Sequence, residues 1–193
     1  NIPTIASVKP YTPLEMEGRD LYIREGCVGC HSQMIRPMRA ETERYGEYSK
    51  PGEFVYDHPF LWGSRRAGPD LQREGGKYPD SLHFLHMKDP RSTSPGSLMP
   101  AYTWLYEDAL DTSHTEGKII TLRRLGVPYP EGFERQAEAD LKAQAARIAA
   151  GLSTGGFTTS ADREIVALIA YMQRLGTDIK SAGVTPPAGA VAV

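Results

Sequence analysis

Apolar positions recur at helical spacing near the start of the chain, just after Thr12. Thr12 and Glu15 have the spacing of a capping box, and Pro13 suits the first helical position. The pattern predicts a helix from about residue 13 to residue 26. Gly18 has no side chain on one face of this helix, so another helix can cross it closely.

The clearest helical pattern lies near the other end of the chain. Thr159 or Ser160 is expected to cap this second helix, and Gly176 is expected to end it. One face carries a continuous apolar stripe, which indicates burial in the core. The stripe consists of Ile165, Leu168, Ile169, Met172 and Leu175.

The region between these two helices alternates shorter helical patterns with long loops. Helices are predicted over 81–87 and 115–125, and an Ala-rich helix with a weakly apolar face over 131–150 is expected at the surface. Residues 32–79 and 88–103 are rich in turn formers and lack sustained periodicity. They are predicted to be ordered loops, since loops of this length in compact domains usually serve function.

Length and composition indicate one globular domain. The chain has 193 residues, of which 40% are hydrophobic and 24% charged, and its net charge of −2 gives no reason to expect a nucleic-acid partner. We expect an extended leader over 1–12, a single domain over 13–178 and a disordered tail over 179–193. The longest strongly apolar run, 165–172, is far shorter than a membrane span of about 20 residues.

The candidate chemistry lies in the run Cys27-Val-Gly-Cys30-His31, which contains both cysteines of the chain. Two thiols separated by two residues and followed at once by histidine indicate a c-type haem attachment site. The thiols add to the two vinyl groups of one porphyrin, and His31 then offers a ring nitrogen to the iron. In bacteria this attachment is completed outside the inner membrane, so the motif predicts a periplasmic location.

Other chemistries of the cysteine pair are less well supported. A structural zinc site needs four ligands, and the chain offers no second cysteine pair. A thioredoxin-type redox pair belongs in a βαβ context, which the surrounding residues do not suggest. A disulfide would close a loop too small to stabilise the fold much.

A second axial ligand is expected because electron carriers generally hold their iron six-coordinate. Met99 is the leading candidate, since Pro100 stiffens the extended loop that presents its thioether. Met87 falls within a predicted helix, where packing is the more natural role. His83 or His86 remains an alternative ligand, with Met99 then a buried packing residue.

An attachment site after the first helix and an amphipathic last helix resemble the plan of class I cytochromes c. The resemblance implies a mainly α fold around one covalent haem, elaborated here by long ordered loops and a helical insertion. It also implies that Pro69, in the turn Gly68-Pro69, accepts a hydrogen bond from His31. One side chain near this turn is expected to pair with the haem carboxylates, although for each candidate taken singly a solvated position is the stronger expectation. The candidates are Arg36, Arg65, Arg66, Tyr45, Tyr56, Trp62 and Trp104.

Longer runs resemble one family in particular, the mono-haem cytochrome c subunit (CcoO/FixO) of cbb3-type haem–copper oxidases. They are the run from Gly18 to Pro37, Glu43-Arg-Tyr-Gly46, the run from Gly52 to Ser64, Gly68-Pro-Asp-Leu71, and Met99-Pro-Ala-Tyr102 with Trp104-Leu105. The resemblance covers about residues 8–105, weakens over 106–160, and implies that Cys27, Cys30, His31 and Met99 form the haem site.

The family resemblance implies a role and partners. Such subunits lie on the periplasmic side of the inner membrane, take electrons from a donor cytochrome c subunit and pass them toward the catalytic haem b–copper subunit. No independent catalysis is expected of the chain. The family's N-terminal membrane helix would lie upstream of residue 1, so the chain is expected to reach the membrane through that segment or through its partner.

Two other functions remain open from the sequence. One is a freely diffusing cytochrome c, against which the long loops over 32–79 argue, since a simple shuttle needs no such elaboration. The other is a small-ligand haem sensor, which needs an open iron position and therefore an unbound Met99. The loops over 45–62 are the candidate docking elements for an oxidase partner.

Overall fold

The computed structural model describes residues 5–182, a helical fold in which the only β-type pairing of the described residues is one isolated bridge, Ala109 to Arg163. The helices are α1 (Pro13–Arg24), α2 (Arg39–Tyr45), α3 (Asp80–Lys88), α4 (Pro90–Thr93), α5 (Thr115–Arg124), α6 (Ala137–Thr154) and α7 (Glu164–Arg174). No described helix combines the length and the apolar character needed to span a membrane. The mainly α fold expected from the sequence is confirmed.

Helices α1 and α7 cross closely at Gly18, as predicted. A Cβ atom on Gly18 would lie 2.6 Å from the carbonyl carbon of Ala167 and 2.9 Å from Cβ of Tyr171, and closer still to the carbonyl oxygen of Ala167. The rings of Tyr22 and Tyr171 meet beside this contact, with centroids 5.4 Å apart. The crossing forms the centre of the core because α7 is buried along most of its length.

The start of α1 agrees with the sequence prediction. Thr12 and Glu15 form a capping box, and Pro13 is the first helical residue. The helix ends at Arg24, two residues earlier than predicted. Gly26 follows with a φ of +72°, a left-handed conformation that turns the chain into the cysteine motif.

The start of α7 differs from the prediction. The helix begins at Glu164, and neither Thr159 nor Ser160 caps it. The Glu164 carboxylate, at the positive end of the helix dipole, is buried and accepts two hydrogen bonds from Arg24, at 2.7 and 2.5 Å. This ion pair joins the last turn of α1 to the first turn of α7.

The Ala-rich helix differs from the prediction in its bounds. Helix α6 spans Ala137–Thr154 and runs through Gly151. It lies at the surface, as expected, with most of its residues exposed, and one face contributes Leu141, Ala145 and Leu152 to the core at 4%, 2% and 1% exposure. Alanine side chains make the buried face weakly apolar, yet their small size lets the helix pack closely against its neighbours.

Three short helical segments lie in the stretches predicted to be loops. Helix α2 and a 3-10 helix, Pro51–Phe54, fall within 32–79, and α4 falls within 88–103. At the chain ends, residues 1–4 of the predicted leader and 183–193 of the predicted tail lie outside the described residues. The described start of that tail forms a 3-10 helix, Asp178–Ala182, in which Ile179 is buried.

Candidate haem site

The cysteine motif forms a tight turn directly after α1. A 3-10 helix spans Cys27–Gly29, and the carbonyl of Cys27 accepts hydrogen bonds from the N–H groups of Cys30 (3.1 Å) and His31 (2.9 Å). Both thiols are free, with Cys27 buried and Cys30 exposed. Burial raises the pKa of the Cys27 thiol to about 12, so the thiol is neutral.

The ring of His31 is held by the turn at Gly68 and Pro69. Nδ1 of His31 lies 2.8 Å from the carbonyl oxygen of Pro69, which can only accept, so Nδ1 carries the proton and Nε2 keeps its lone pair. A Cβ atom on Gly68 would lie 2.7 Å from both ring nitrogens. Glycine is therefore required here for the ring to fit against the turn.

The buried carboxylate of Asp70 links the residues that follow the cysteine motif to the residues that follow Pro69. Its Oδ2 accepts from the hydroxyl of Ser32 at 2.6 Å and from the N–H of Met34 at 2.9 Å, and Oδ1 accepts from the N–H of Gln72 at 2.9 Å. Sequence reasoning did not assign Asp70 a role, although it follows Pro69 directly in the Gly-Pro-Asp-Leu run. Its hydrogen bonds orient the turn that holds His31.

Two of the three arginines considered as haem carboxylate partners are paired with a protein carboxylate. Arg66 lies 2.6 Å from Glu41, and Arg36 pairs with the same group through its side chain and its N–H. The hydrogen bond from Arg66, supported by Arg36, lowers the pKa of Glu41 to about 2. Glu41 is the buried residue of α2, so the pairing also explains how this polar helix is held.

The loop that carries Met99 returns to the same region. The N–H of Tyr102 donates to the carbonyl of Met87 at 2.9 Å, which closes the loop onto the end of α3. Farther along, the indole N–H of Trp104 donates to Glu25 at 3.1 Å, beside the cysteine turn. Met99 is partly buried against the core cluster that includes Cys27, whereas Met87 is a buried core residue.

The two histidines of α3 differ sharply in their surroundings. His83 is 4% exposed, its Nε2 is enclosed by protein without a hydrogen-bond partner, and burial lowers its pKa to about 4. His86 is partly buried, and its Nδ1 lies 2.5 Å from the hydroxyl of Thr93. Of the two alternatives to Met99, His83 has its Nε2 enclosed by protein, whereas Nε2 of His86 is not enclosed.

The donor set fits a haem. Two free thiols on one turn, an imidazole with its Nε2 lone pair free, and a thioether on a loop returning to that turn match the groups such a cofactor needs. The structure brings Cys27, Cys30, His31 and Pro69 into one unit. Among residues 5–182, no three His, Cys, Asp or Glu side chains are grouped so as to hold a bare metal ion.

This fold and this turn are those of a cytochrome c-like protein. The family model described as "Cytochrome C oxidase, mono-heme subunit/FixO" matches residues 1–179. The chain therefore belongs to the FixO family of mono-haem cytochrome c oxidase subunits, and the family resemblance found in the sequence is confirmed. A comparison with curated proteins finds no match.

Proposed function

We propose that the chain is the periplasmic electron-transfer subunit of a haem–copper oxidase and carries electrons toward the catalytic haem b–copper subunit. The observation that carries the proposal is the geometry of His31: its Nδ1 is held 2.8 Å from Pro69 and its Nε2 is left free, beside two free thiols. Membership in a family of mono-haem oxidase subunits supports the same conclusion.

Each residue of the site has a distinct part in this proposal. Cys27 and Cys30 would attach one haem covalently, and His31 and Met99 would be its axial ligands. The bound haem supplies reversible one-electron exchange at iron. The hydrogen bond to Pro69 keeps the tautomer of His31 fixed and strengthens it as a ligand, and a thioether opposite an imidazole raises the potential.

The segment 45–62 is the proposed docking element for the catalytic subunit. Buried Arg19 of α1 anchors it: the guanidinium donates to the carbonyl of His58 at 3.3 Å and lies 3.7 Å from the carboxylate of Asp57. The anchored segment presents Phe60, 44% exposed, stacked on Trp62 with ring centroids 4.7 Å apart. Rigid exposed aromatic rings are typical anchors of protein interfaces.

Family membership implies an oxidase complex, and we propose the finer assembly as follows. A donor cytochrome c subunit delivers electrons to this chain on the periplasmic side of the inner membrane. The chain reaches the membrane through a segment upstream of residue 1 or through the catalytic subunit. No nucleic acid is involved.

The haem site is tested by the denatured, acid–acetone-washed polypeptide. It is expected to retain a pyridine haemochrome signal, and a variant with both Cys27→Ala and Cys30→Ala is expected to lose it. A colourless wild-type polypeptide would refute covalent attachment. In the oxidised protein, a methionine-to-iron charge-transfer band lost in Met99→Ala would support that axial ligand and argue against a sensor.

The partner is tested by co-purification from membranes. The wild-type chain is expected to bring down the catalytic subunit, and Phe60→Ala with Trp62→Ala is expected to weaken this association without loss of haem. Leu125→Ala, which changes an exposed apolar residue outside the docking segment, is the matched control. Recovery of the chain free of any oxidase subunit would favour the freely diffusing carrier instead.

A further inference from the structure

His86 has the geometry of a metal ligand that the Met99 assignment leaves unused. Its Nδ1 lies 2.5 Å from the Thr93 hydroxyl, and that hydroxyl lies 3.2 Å from the carbonyl oxygen of Pro90. The carbonyl of Pro90 also accepts from the N–H of Ser94 at 2.9 Å, so the hydroxyl proton is free to go either to Pro90 or to Nδ1. In either pairing Thr93 holds the ring through Nδ1 and leaves Nε2 outside the contact.

The Nε2 atom of His86 has no competing partner. Among residues 5–182 it makes no hydrogen bond, and it is not enclosed by protein as Nε2 of His83 is. His31 is also held through Nδ1, which lies against the carbonyl oxygen of Pro69. Its Nε2 has no hydrogen-bond partner among residues 5–182. The chain thus holds two imidazoles, each with Nδ1 against an oxygen atom and with Nε2 unpartnered among residues 5–182.

The end of α3 that carries His86 is joined to the loop that carries Met99. Met87, next to His86, accepts the hydrogen bond from Tyr102 that closes the Met99 loop. His86 and Met99 therefore lie on the same rim of the site.

The Met99 loop is held at few points. The Met99 N–H donates to the Ser97 hydroxyl at 3.2 Å, the Arg91 guanidinium donates to the carbonyl of Ser97 at 3.3 Å, and Leu98 is 93% exposed. His86, by contrast, lies on a helix and is fixed through Thr93. A ligand on a sparsely held loop leaves more readily than one on a helix.

We propose that His86 is a reserve axial ligand, which replaces Met99 when the thioether leaves the iron. This inference rests on the proposed haem site. The exchange would replace the Met99 thioether by Nε2 of His86 at the iron, with no electron transferred; the N–H of the imidazole would then lie on Nδ1, so no proton would be released. Two imidazoles would lower the potential relative to histidine with methionine, and would keep the iron closed to small ligands.

The test is electron paramagnetic resonance and carbon monoxide binding on the holoprotein carrying Met99→Ala. The single variant is expected to remain low-spin, with the signature of two imidazole ligands, and to bind carbon monoxide slowly. The double variant Met99→Ala with His86→Phe is expected to become high-spin and to bind carbon monoxide rapidly. Met99→Ala with His114→Ala, which removes an exposed histidine elsewhere, is the matched control and is expected to stay low-spin.

Thr93→Val in the Met99→Ala background gives a second measurement that does not remove the imidazole. It removes the hydroxyl that orients His86, and a partial loss of the low-spin signal is expected. A high-spin Met99→Ala single variant, or a double variant that stays low-spin, would overturn the proposal. Loss of the pyridine haemochrome would instead refute the haem site itself, so the two failures are distinguishable.

Discussion

Gly68 is the residue whose replacement tests the haem site most directly. A Cβ atom at this position would lie 2.7 Å from both ring nitrogens of His31, about 0.8 Å inside the ~3.5 Å at which such atoms are in favourable contact. Gly68→Ala must therefore push the ring away from the turn. The hydrogen bond from Nδ1 to Pro69, 2.8 Å in the native site, then stretches to about 3.5 Å or more and is lost.

The expected magnitude follows from that hydrogen bond. A bond of this type contributes about 1 kcal/mol, and here it strengthens His31 as an electron donor to the oxidised iron. Since 1.4 kcal/mol corresponds to about 59 mV for one electron, its loss should raise the potential by about 40 mV. The unfolding free energy should also fall, because the displaced ring must find new space.

The assay is a spectroelectrochemical titration of the holoprotein, with Gly29→Ala as the matched control. Gly29 lies inside the cysteine motif, but no atom lies within 4 Å of the Cβ position it lacks. The control should keep the native potential. Equal potentials for Gly68→Ala and Gly29→Ala would refute the reasoning, because they would show that the contact with the turn does not tune His31.

Three further predictions concern stability, each measured by urea unfolding. Gly18→Ala should lower the unfolding free energy by about 3 kcal/mol, since its methyl group meets the backbone of α7, whereas Gly117→Ala in α5 should raise it by about 0.5–1 kcal/mol because the site is open. Leu141→Ala should cost about 2–4 kcal/mol if α6 belongs to the core. For Glu41, Arg66 lowers the pKa from 4.5 to about 2, so its stabilisation is present above pH 4.5 and should be lost as the pH falls toward 2.

Controls separate these effects from general ones. Lys142→Ala, beside Leu141 but 70% exposed, should change the unfolding free energy by less than about 0.5 kcal/mol. Glu41→Gln should flatten the loss of stability between pH 4.5 and pH 2, and Glu43→Gln, an exposed neighbour in the same helix, should leave it unchanged. A stable Gly18→Ala protein, or identical acid profiles for the two glutamine variants, would contradict the packing and charge arguments respectively.

The elements predicted correctly from the sequence are those whose signals are local. The capping box of Thr12 and Glu15 depends on residues three apart, and the apolar stripe of α7 depends on one helix face, so both are visible without a partner. The absence of a side chain at Gly18 likewise predicted that another helix crosses α1 closely at this residue, and α7 does so. The FixO resemblance rests on contiguous runs and needed no fold.

The elements that sequence reasoning missed depend on partners distant in the chain. Helix α2 has only one buried residue, Glu41, and no apolar stripe that would predict it. It is held in place by an ion pair between Glu41 and Arg66, which lies 25 residues away in the chain. Helix α7 starts at Glu164 because Arg24, 140 residues away, neutralises the carboxylate there. Periodicity cannot report such pairings.

The sequence by itself determined that the thiols of Cys27 and Cys30 and the imidazole of His31 lie in one turn after a helix, because these residues are close neighbours in the chain. The resemblance to class I cytochromes c implied a hydrogen bond from His31 to Pro69, but only the tertiary structure gives its geometry, because the carbonyl of Pro69 lies 38 residues away in the chain. It also decided that Arg36 and Arg66 pair with Glu41, and that Nε2 is enclosed by protein in His83 but not in His86. The tautomer of a histidine, the partner of an arginine and the accessibility of a ring nitrogen all depend on residues distant in the chain, which only folding brings together.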